Sequence, residues 1–142
     1  MTIERSLVIV KPDGVRRGQI GEVIRRIETK GYLIDALRML AATDDQLREH
    51  YAEHEAKPFF LDLLEYMTDG PVVAMVIEGS GCIDGFRAMA GATNPTAAVP
   101  GSIRGDLGRD WGSGRIENVV HGSDSVASAE REIPIWFPEL DS

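Results

Sequence analysis

Val72-Val73-Ala74-Met75-Val76-Ile77 is a continuous apolar run, set between the turn signal Asp69-Gly70-Pro71 and Glu78. A run of this length and composition suits a β-strand buried on both faces. Upstream, a helix is expected after Pro58, running to about Met67 with Phe59, Leu63 and Leu64 as its apolar face. Before it, Thr43-Asp44-Asp45-Gln46 matches a capping box and opens a helix to about Tyr51. Residues 33–42 read as another strand. Ile20, Val23, Ile24 and Ile27 fall at i, i+3, i+4 and i+7, which makes 19–30 an amphipathic helix with Gly31 at its left-handed C-cap. The first strand, residues 6–10, ends at the turn signal Lys11-Pro12-Asp13-Gly14.

Downstream of the central run, a helix is expected near 83–90. Residues 91–117 change character: Gly, Pro, Asn, Ser and Asp dominate, with glycines at 91, 101, 105, 108, 112 and 114. Such a long irregular segment inside a compact domain is usually functional or disordered. A short strand at 118–121 follows, then a helix at 125–133 that Pro134 should end or kink. With the helical pair between strands two and three treated as an insertion, the order is βαββαβ. That predicts an α+β, ferredoxin-like fold: an antiparallel four-stranded sheet with helices covering it and a long irregular loop.

The bulk numbers set limits on function. The chain has 142 residues, 43% of them hydrophobic, which suits one domain with a full core. Its one cysteine, Cys82, allows no intrachain disulfide and fits a reducing compartment. No apolar run approaches the roughly 20 residues that span a bilayer. The polar stretch at residues 1–5 does not read as a signal peptide, so a cytoplasmic protein without a membrane partner is expected. Net charge is −8, which disfavours nucleic acid as a main partner and slows any anionic substrate. A phosphate compound would need basic residues concentrated at one place. The 23 acidic residues also occur at this density in salt-tolerant proteins, although ordinary cytosolic proteins are as acidic.

Three histidines are present, His50, His54 and His121. His50 and His54 are four apart, but Tyr51 stands where a zinc protease needs Glu, and Glu49-His50-Tyr51-Ala52-Glu53-His54-Glu55 reads as a solvated helix face. His121 ends a short apolar strand before Gly122-Ser123-Asp124-Ser125. A catalytic group at a strand–loop junction and a structural strand-end histidine both fit that position. No Walker pattern and no Gly-x-Gly-x-x-Gly occurs, which disfavours P-loop ATPases, protein kinases and Rossmann dehydrogenases. Lys11, Arg87, Thr93 and Arg104 remain as a scattered set that could together neutralise a polyphosphate.

Six segments together resemble the nucleoside diphosphate kinase family: Lys11-Pro12-Asp13-Gly14-Val15, Pro58-Phe59-Phe60, Gly70-Pro71-Val72, Gly91-Ala92-Thr93-Asn94-Pro95, Pro100-Gly101-Ser102-Ile103-Arg104-Gly105-Asp106, and Asn118-Val119-Val120-His121-Gly122-Ser123-Asp124-Ser125. They cover nearly the whole chain in one order and imply a single domain over 1–142. The resemblance implies that His121 is the phosphorylated nucleophile and Glu132 the carboxylate on its other ring nitrogen. It implies that Lys11 and Asn118 surround the ribose 3′-hydroxyl, with Lys11 also reaching the transferred phosphate. It further implies that Arg87, Thr93 and Arg104 contact phosphate and that the base stacks on Phe59. Tyr51 near the lysine and Ser123 near Glu132 would give support. The family's Mg²⁺ is held mainly by nucleotide phosphates and water.

Three features depart from the family pattern. The stretch 107–117 is a few residues longer than usual, Ser102 replaces the usual Thr, and the chain stops soon after Trp136-Phe137-Pro138. The first and last bear on subunit contacts, so a homo-oligomer is expected, a hexamer in preference to a tetramer. A catalytically silent regulator on the same fold would most readily lack His121, Lys11, Asn118 or Glu132, and all four are present. A ferredoxin-like sensor or nucleic-acid module would need a basic stripe with interleaved aromatics, which the chain lacks.

Overall fold

The computed structural model describes residues 2–140; Met1 of the polar N-terminal stretch and the last two residues of the expected domain lie outside them. The chain begins with β1 (Ile3–Val10), a short helix α1 (Pro12–Arg16), α2 (Ile20–Lys30) and β2 (Leu33–Leu40). It continues through α3 (Asp44–His50), a 3₁₀ turn (Ala52–His54), α4 (Phe60–Met67), β3 (Val72–Ser80) and α5 (Cys82–Ala90). The remainder is α6 (Ile103–Leu107), the strand pair β4 (Arg109–Asp110) and β5 (Ile116–Glu117), then β6 (Val120–Gly122) and α7 (Val126–Trp136).

The main sheet has the order β2-β3-β1-β6, and every neighbouring pair is antiparallel. This is the expected ferredoxin-like topology. The apolar run at 72–77 is buried throughout because β3 lies inside the sheet and both faces are covered. Side chains on a strand alternate between faces. Leu7 and Ile9 of β1, with Ala74 and Val76 of β3, therefore pack under Leu47, Phe60, Leu64, Ile133 and Trp136 of α3, α4 and α7. Val8, Val10, Val73, Met75 and Ile77 face the other way, against Val23, Ile27 and Phe86 of α2 and α5. Each of the larger aliphatic and phenylalanine side chains contributes about 1.5–3 kcal/mol by leaving water, so the sheet is a floor between two cores.

The capping box forms as expected: Thr43 Oγ1 accepts from the Gln46 N–H at 3.1 Å, and the Gln46 side chain accepts from the Thr43 N–H at 3.0 Å. Gly31 takes φ 101° at the C-cap of α2, a conformation that costs glycine little. Among the described residues no helix is long and apolar enough to cross a membrane.

Five local expectations need correction. Residues 12–14 are the first turn of α1, with Pro12 supplying the fixed φ that suits a helix start. The segment 91–117 is not wholly irregular. It contains α6, capped by Ser102 Oγ accepting from the Gly105 N–H, and the β4–β5 pair. The last sheet strand starts only at Val120, because Val119 has φ 70° and breaks the extended run. Pro134 does not end helix α7, which runs on to Trp136; burial of Trp136 and Phe137 offsets the hydrogen bond that proline cannot donate. In α4 the buried positions are Phe60, Leu64, Tyr66 and Met67, so of the expected face Phe59, Leu63 and Leu64 only Leu64 is buried. Phe59 is left 44% exposed.

Candidate active site

A cavity of about 500 Å³ opens where the C-terminal end of β1, the start of β6, the α3–α4 insertion and the 91–107 segment converge. Nine of the ten expected site residues line it: Lys11, Tyr51, Phe59, Arg87, Thr93, Arg104, Asn118, His121 and Glu132. Ser123 lies behind Glu132, fully buried.

His121 stands on β6 opposite Ile9 of β1. The turn after it brings α7 back so that Glu132 Oε1 lies 3.0 Å from His121 Nε2. The same oxygen accepts the Ser123 hydroxyl at 2.8 Å, and Ser123 Oγ in turn accepts the Leu7 N–H at 3.0 Å. Glu132 is thus a buried carboxylate tied to the central strand, and it turns the imidazole so that Nδ1 is the nitrogen it leaves free. Gly122 is required next to the histidine because a Cβ there would come within 2.5 Å of the Phe86 ring.

On the opposite wall Lys11 follows β1 directly. It is buried, and its ammonium donates to Asn118 Oδ1 at 2.8 Å. Burial, reinforced by the nearby Arg104 charge and partly opposed by Asp13, brings its pKa down from 10.5 to about 8. Asn118 Nδ2 donates to the Thr93 carbonyl at 3.1 Å, so one side chain joins β1 to the long loop. Arg104 donates to the carbonyls of Asn118, Gly91 and Val120 at 3.2, 2.9 and 2.8 Å. Its burial lowers its pKa. Arg87 is held more loosely, 3.5 Å from the Asp124 carbonyl. Phe59 stands at the mouth, its ring centroid 5.4 Å from that of His54.

His50 overturns the reading of a solvated helix face. It is buried, with its ring centroid 4.6 Å from that of His121 at a steep angle. The Trp136 indole N–H donates to His50 Nδ1 at 3.1 Å, which puts the proton of the neutral ring on Nε2. Burial first, then the neighbouring His121 and Arg131, pushes its pKa down to about 2. Tyr51 packs edge-on against His50 at 4.7 Å. Burial and then Glu132 push its hydroxyl pKa up, so it stays protonated. One signal in the sequence could have found His50: it is three residues after the buried Leu47, on the same face of α3.

His50, His121 and Glu132 bring potential ligand atoms within 4.8 Å of one another, a set that could hold a metal ion. Two imidazoles and one carboxylate suit Zn²⁺-like ions better than Mg²⁺, which prefers an oxygen shell. The Trp136–His50 and His121–Glu132 hydrogen bonds already engage one atom of each residue.

The family model described as nucleoside diphosphate kinase matches residues 4–142. The chain belongs to the nucleoside diphosphate kinase family. The nucleoside diphosphate kinase of Thermobifida fusca is 54% identical over 138 residues, which cover 97% of this chain and 99% of that one. A nucleoside diphosphate kinase of Dictyostelium discoideum, named as cytosolic, is 54% identical over 134 residues, 94% of this chain and 84% of its own. Among solved structures, a halophilic nucleoside diphosphate kinase from Halobacterium salinarum in complex with CDP is similar with a TM-score of 0.88 at 46% identity, covering 96% of this chain and 88% of that chain. Membership makes this chain an enzyme, a phosphotransferase of nucleotide metabolism.

Proposed function

We propose that this nucleoside diphosphate kinase moves the γ-phosphoryl group of a nucleoside triphosphate to a nucleoside diphosphate in two half-reactions through a phosphohistidine at His121. The observation that carries the reading is the 3.0 Å contact between Glu132 and His121 Nε2 at the wall of a cavity that also gathers Lys11, Arg87 and Arg104. In the first half-reaction the lone pair of His121 Nδ1 attacks the γ-phosphorus, and the bond from that phosphorus to the bridging oxygen breaks. The nucleoside diphosphate leaves with the bond electrons. The imidazole becomes a cation whose Nε2–H points at Glu132, so the carboxylate stabilises the charge as it forms. In the second half-reaction a terminal phosphate oxygen of another nucleoside diphosphate takes the group, and the ring returns to neutral.

Phosphoryl transfer needs positioning and charge neutralisation more than covalent help. Lys11, Arg87, Arg104 and the Thr93 hydroxyl serve the phosphates. Arg104 has five N–H donors, and three are engaged with carbonyls, so two are left for phosphate oxygens. Lys11 and Asn118 surround the ribose 3′-hydroxyl, and Tyr51 supports the lysine. Ser123 holds Glu132 in place. Stacking of the base on the exposed ring of Phe59 reads no base edge and tolerates any nucleobase. Mg²⁺ would be held by phosphate oxygens and water, supplying further charge neutralisation when bound. Its oxygen preference does not fit the His50–His121–Glu132 set.

The chain acts as one domain over residues 1–142, in the cytoplasm, as a homo-oligomer with a hexamer favoured. The cytosolic name of the Dictyostelium relative supports the location. Light scattering at micromolar concentration checks the assembly, and a monomer mass would refute it. Intact mass after incubation with Mg·ATP should show one added phosphoryl group, labile to acid and lost on adding excess GDP. His121→Ala should bind nucleotide and show no gain. Wild-type protein that binds ATP without gaining mass would point instead to a silent regulator.

A further inference from the structure

Val119 is the only non-glycine residue with positive φ among those described, at 70°. A β-branched side chain rarely occupies that region, and strain of this kind persists only where the surroundings over-determine it. Val119 lies between Asn118 and β6, two residues before His121. The Val120 N–H donates to the Asn118 carbonyl at 2.7 Å, closing a γ-turn around Val119 in its rare, strained hand.

The strained residue is held at both backbone groups. Its carbonyl accepts the Lys11 N–H at 2.7 Å, and its own N–H donates to Asp13 Oδ2 at 3.0 Å. Asp13 is fully buried, and its second oxygen accepts the Tyr66 hydroxyl at 2.5 Å. The Tyr66 ring in turn carries the Lys11 ammonium, 5.4 Å from its centroid. One buried pair, Asp13 of α1 and Tyr66 of α4, therefore touches both sides of the cavity: the lysine through the ring, and the γ-turn through the carboxylate.

We infer that Asp13 and Tyr66 are positioning residues of the phosphoryl-transfer site, holding Val119 in its strained turn so that Lys11, Asn118, Arg104 and His121 share one geometry. The inference rests on the proposed role of His121. Turning Val119 back to negative φ reorients its peptide groups, which moves the Asn118 carbonyl away from Arg104 and the Asn118 amide away from Lys11 and Thr93. It also shifts the start of β6, where Val120 pairs with Val10 and His121 with Ile9. The plainer role for Asp13 is an acidic residue in the first turn of α1 that only stabilises the helix. That role predicts loss of melting temperature without a specific loss of rate. It also leaves the bond to a strained residue 106 positions away unexplained.

The test is single-turnover phosphorylation by Mg·ATP, read by intact mass, with thermal melting of every variant. Wild-type phosphorylation is the control: its failure would remove the His121 reading itself. Asp13→Ala should slow phosphorylation at least tenfold at a temperature where melting shows it folded. Glycine takes positive φ without strain, so adding Val119→Gly to Asp13→Ala should recover the rate several-fold, although Val119→Gly alone empties a buried site and lowers the melting temperature. Tyr66→Phe keeps the ring under Lys11, removes only the hydroxyl, and should slow phosphorylation several-fold even if Asp13→Ala does not fold. A folded Asp13→Ala or Tyr66→Phe within twofold of wild type, or no recovery in the double variant, would overturn the inference.

Discussion

Raising the pH above 8 should switch the site off through Lys11. Its ammonium is buried beside Arg104, and the fall in its pKa from 10.5 to about 8 corresponds to about 3 kcal/mol between its two charge states. The sign for stability follows from the proton count. Between pH 8 and 10.5 the unfolded chain keeps the proton that the folded chain has released, so this group's contribution to stability rises with pH through that window. Below pH 8 both states are charged, and the folded protein bears the full cost of the buried cation. Activity should run the other way, because on the proposed mechanism the phosphates need that cation. kcat/KM reports the free enzyme and should fall about tenfold per pH unit above 8. Burial, with the nearby Glu4 charge adding to it, pushes Cys82 up to about 11, and burial pushes Tyr51 and Tyr66 higher still. The assay is a coupled rate measurement from pH 6.5 to 9.5 at fixed ionic strength on wild type and Lys11→Arg. Arginine keeps its charge, so the variant should lose the alkaline limb whatever its absolute rate. A wild-type profile flat to pH 9.5, or an alkaline limb that survives in Lys11→Arg, would refute the reasoning.

Glu132→Gln keeps the shape of the side chain but removes the charge facing His121 Nε2 and disturbs the Ser123 hydrogen bond. Phosphorylation should drop about 10²-fold, measured by single turnover, while nucleotide affinity measured by calorimetry stays close to wild type. Gly122→Ala drives a Cβ to within 2.5 Å of the Phe86 ring in the inner core. Unfolding in urea should show a loss of about 1–3 kcal/mol, with slower phosphorylation because His121 is the adjacent residue on β6.

The elements that were legible in the sequence are those long enough to show a period. Ile20, Val23 and Ile27 could only form one helix face, and the run at 72–77 only a strand covered twice. What escaped was short or decided by distant contacts. Helix α6 has five residues and β4 and β5 two each, too few for periodicity, and the glycines within and between them resemble loop composition. Pro134 reads as a stop or a kink, yet the helix runs on because Trp136 and Phe137 are held in the core whatever the local preference. Phe59 and Phe60 are adjacent aromatics, and local pattern does not say which points inward. The residues that the structure gathers at the cavity were legible through the family resemblance, while His50 was not: acidic neighbours made it look solvated, and its partners Trp136 and His121 lie 86 and 71 positions away.

A chain with net charge −8 that must attract a polyphosphate faces an electrostatic problem, and the fold answers it by location. The ferredoxin-like sheet supplies only Lys11 at the end of β1 and His121 on β6. The second cation wall comes from α5 and α6, carrying Arg87 and Arg104, and Asn118 joins the two sides by bonding Lys11 and the Thr93 carbonyl. Arg104 shows how the wall is held. Three backbone carbonyls, including those on either side of Val119, orient its guanidinium. Those carbonyls also offset part of the cost of burying its charge. Around the histidine the logic is reversed: burial keeps His50 neutral, Tyr51 keeps its proton, and Glu132 supplies a negative charge in direct contact with the ring. A second cation at His50 would compete with the imidazolium that the proposed phosphorylation would create at His121, with the two ring centroids only 4.6 Å apart. On the proposed mechanism, keeping His50 uncharged therefore belongs to the same design as placing Glu132: cations gather where phosphate would lie, and the neighbourhood of the proposed nucleophile is left free to accept one more.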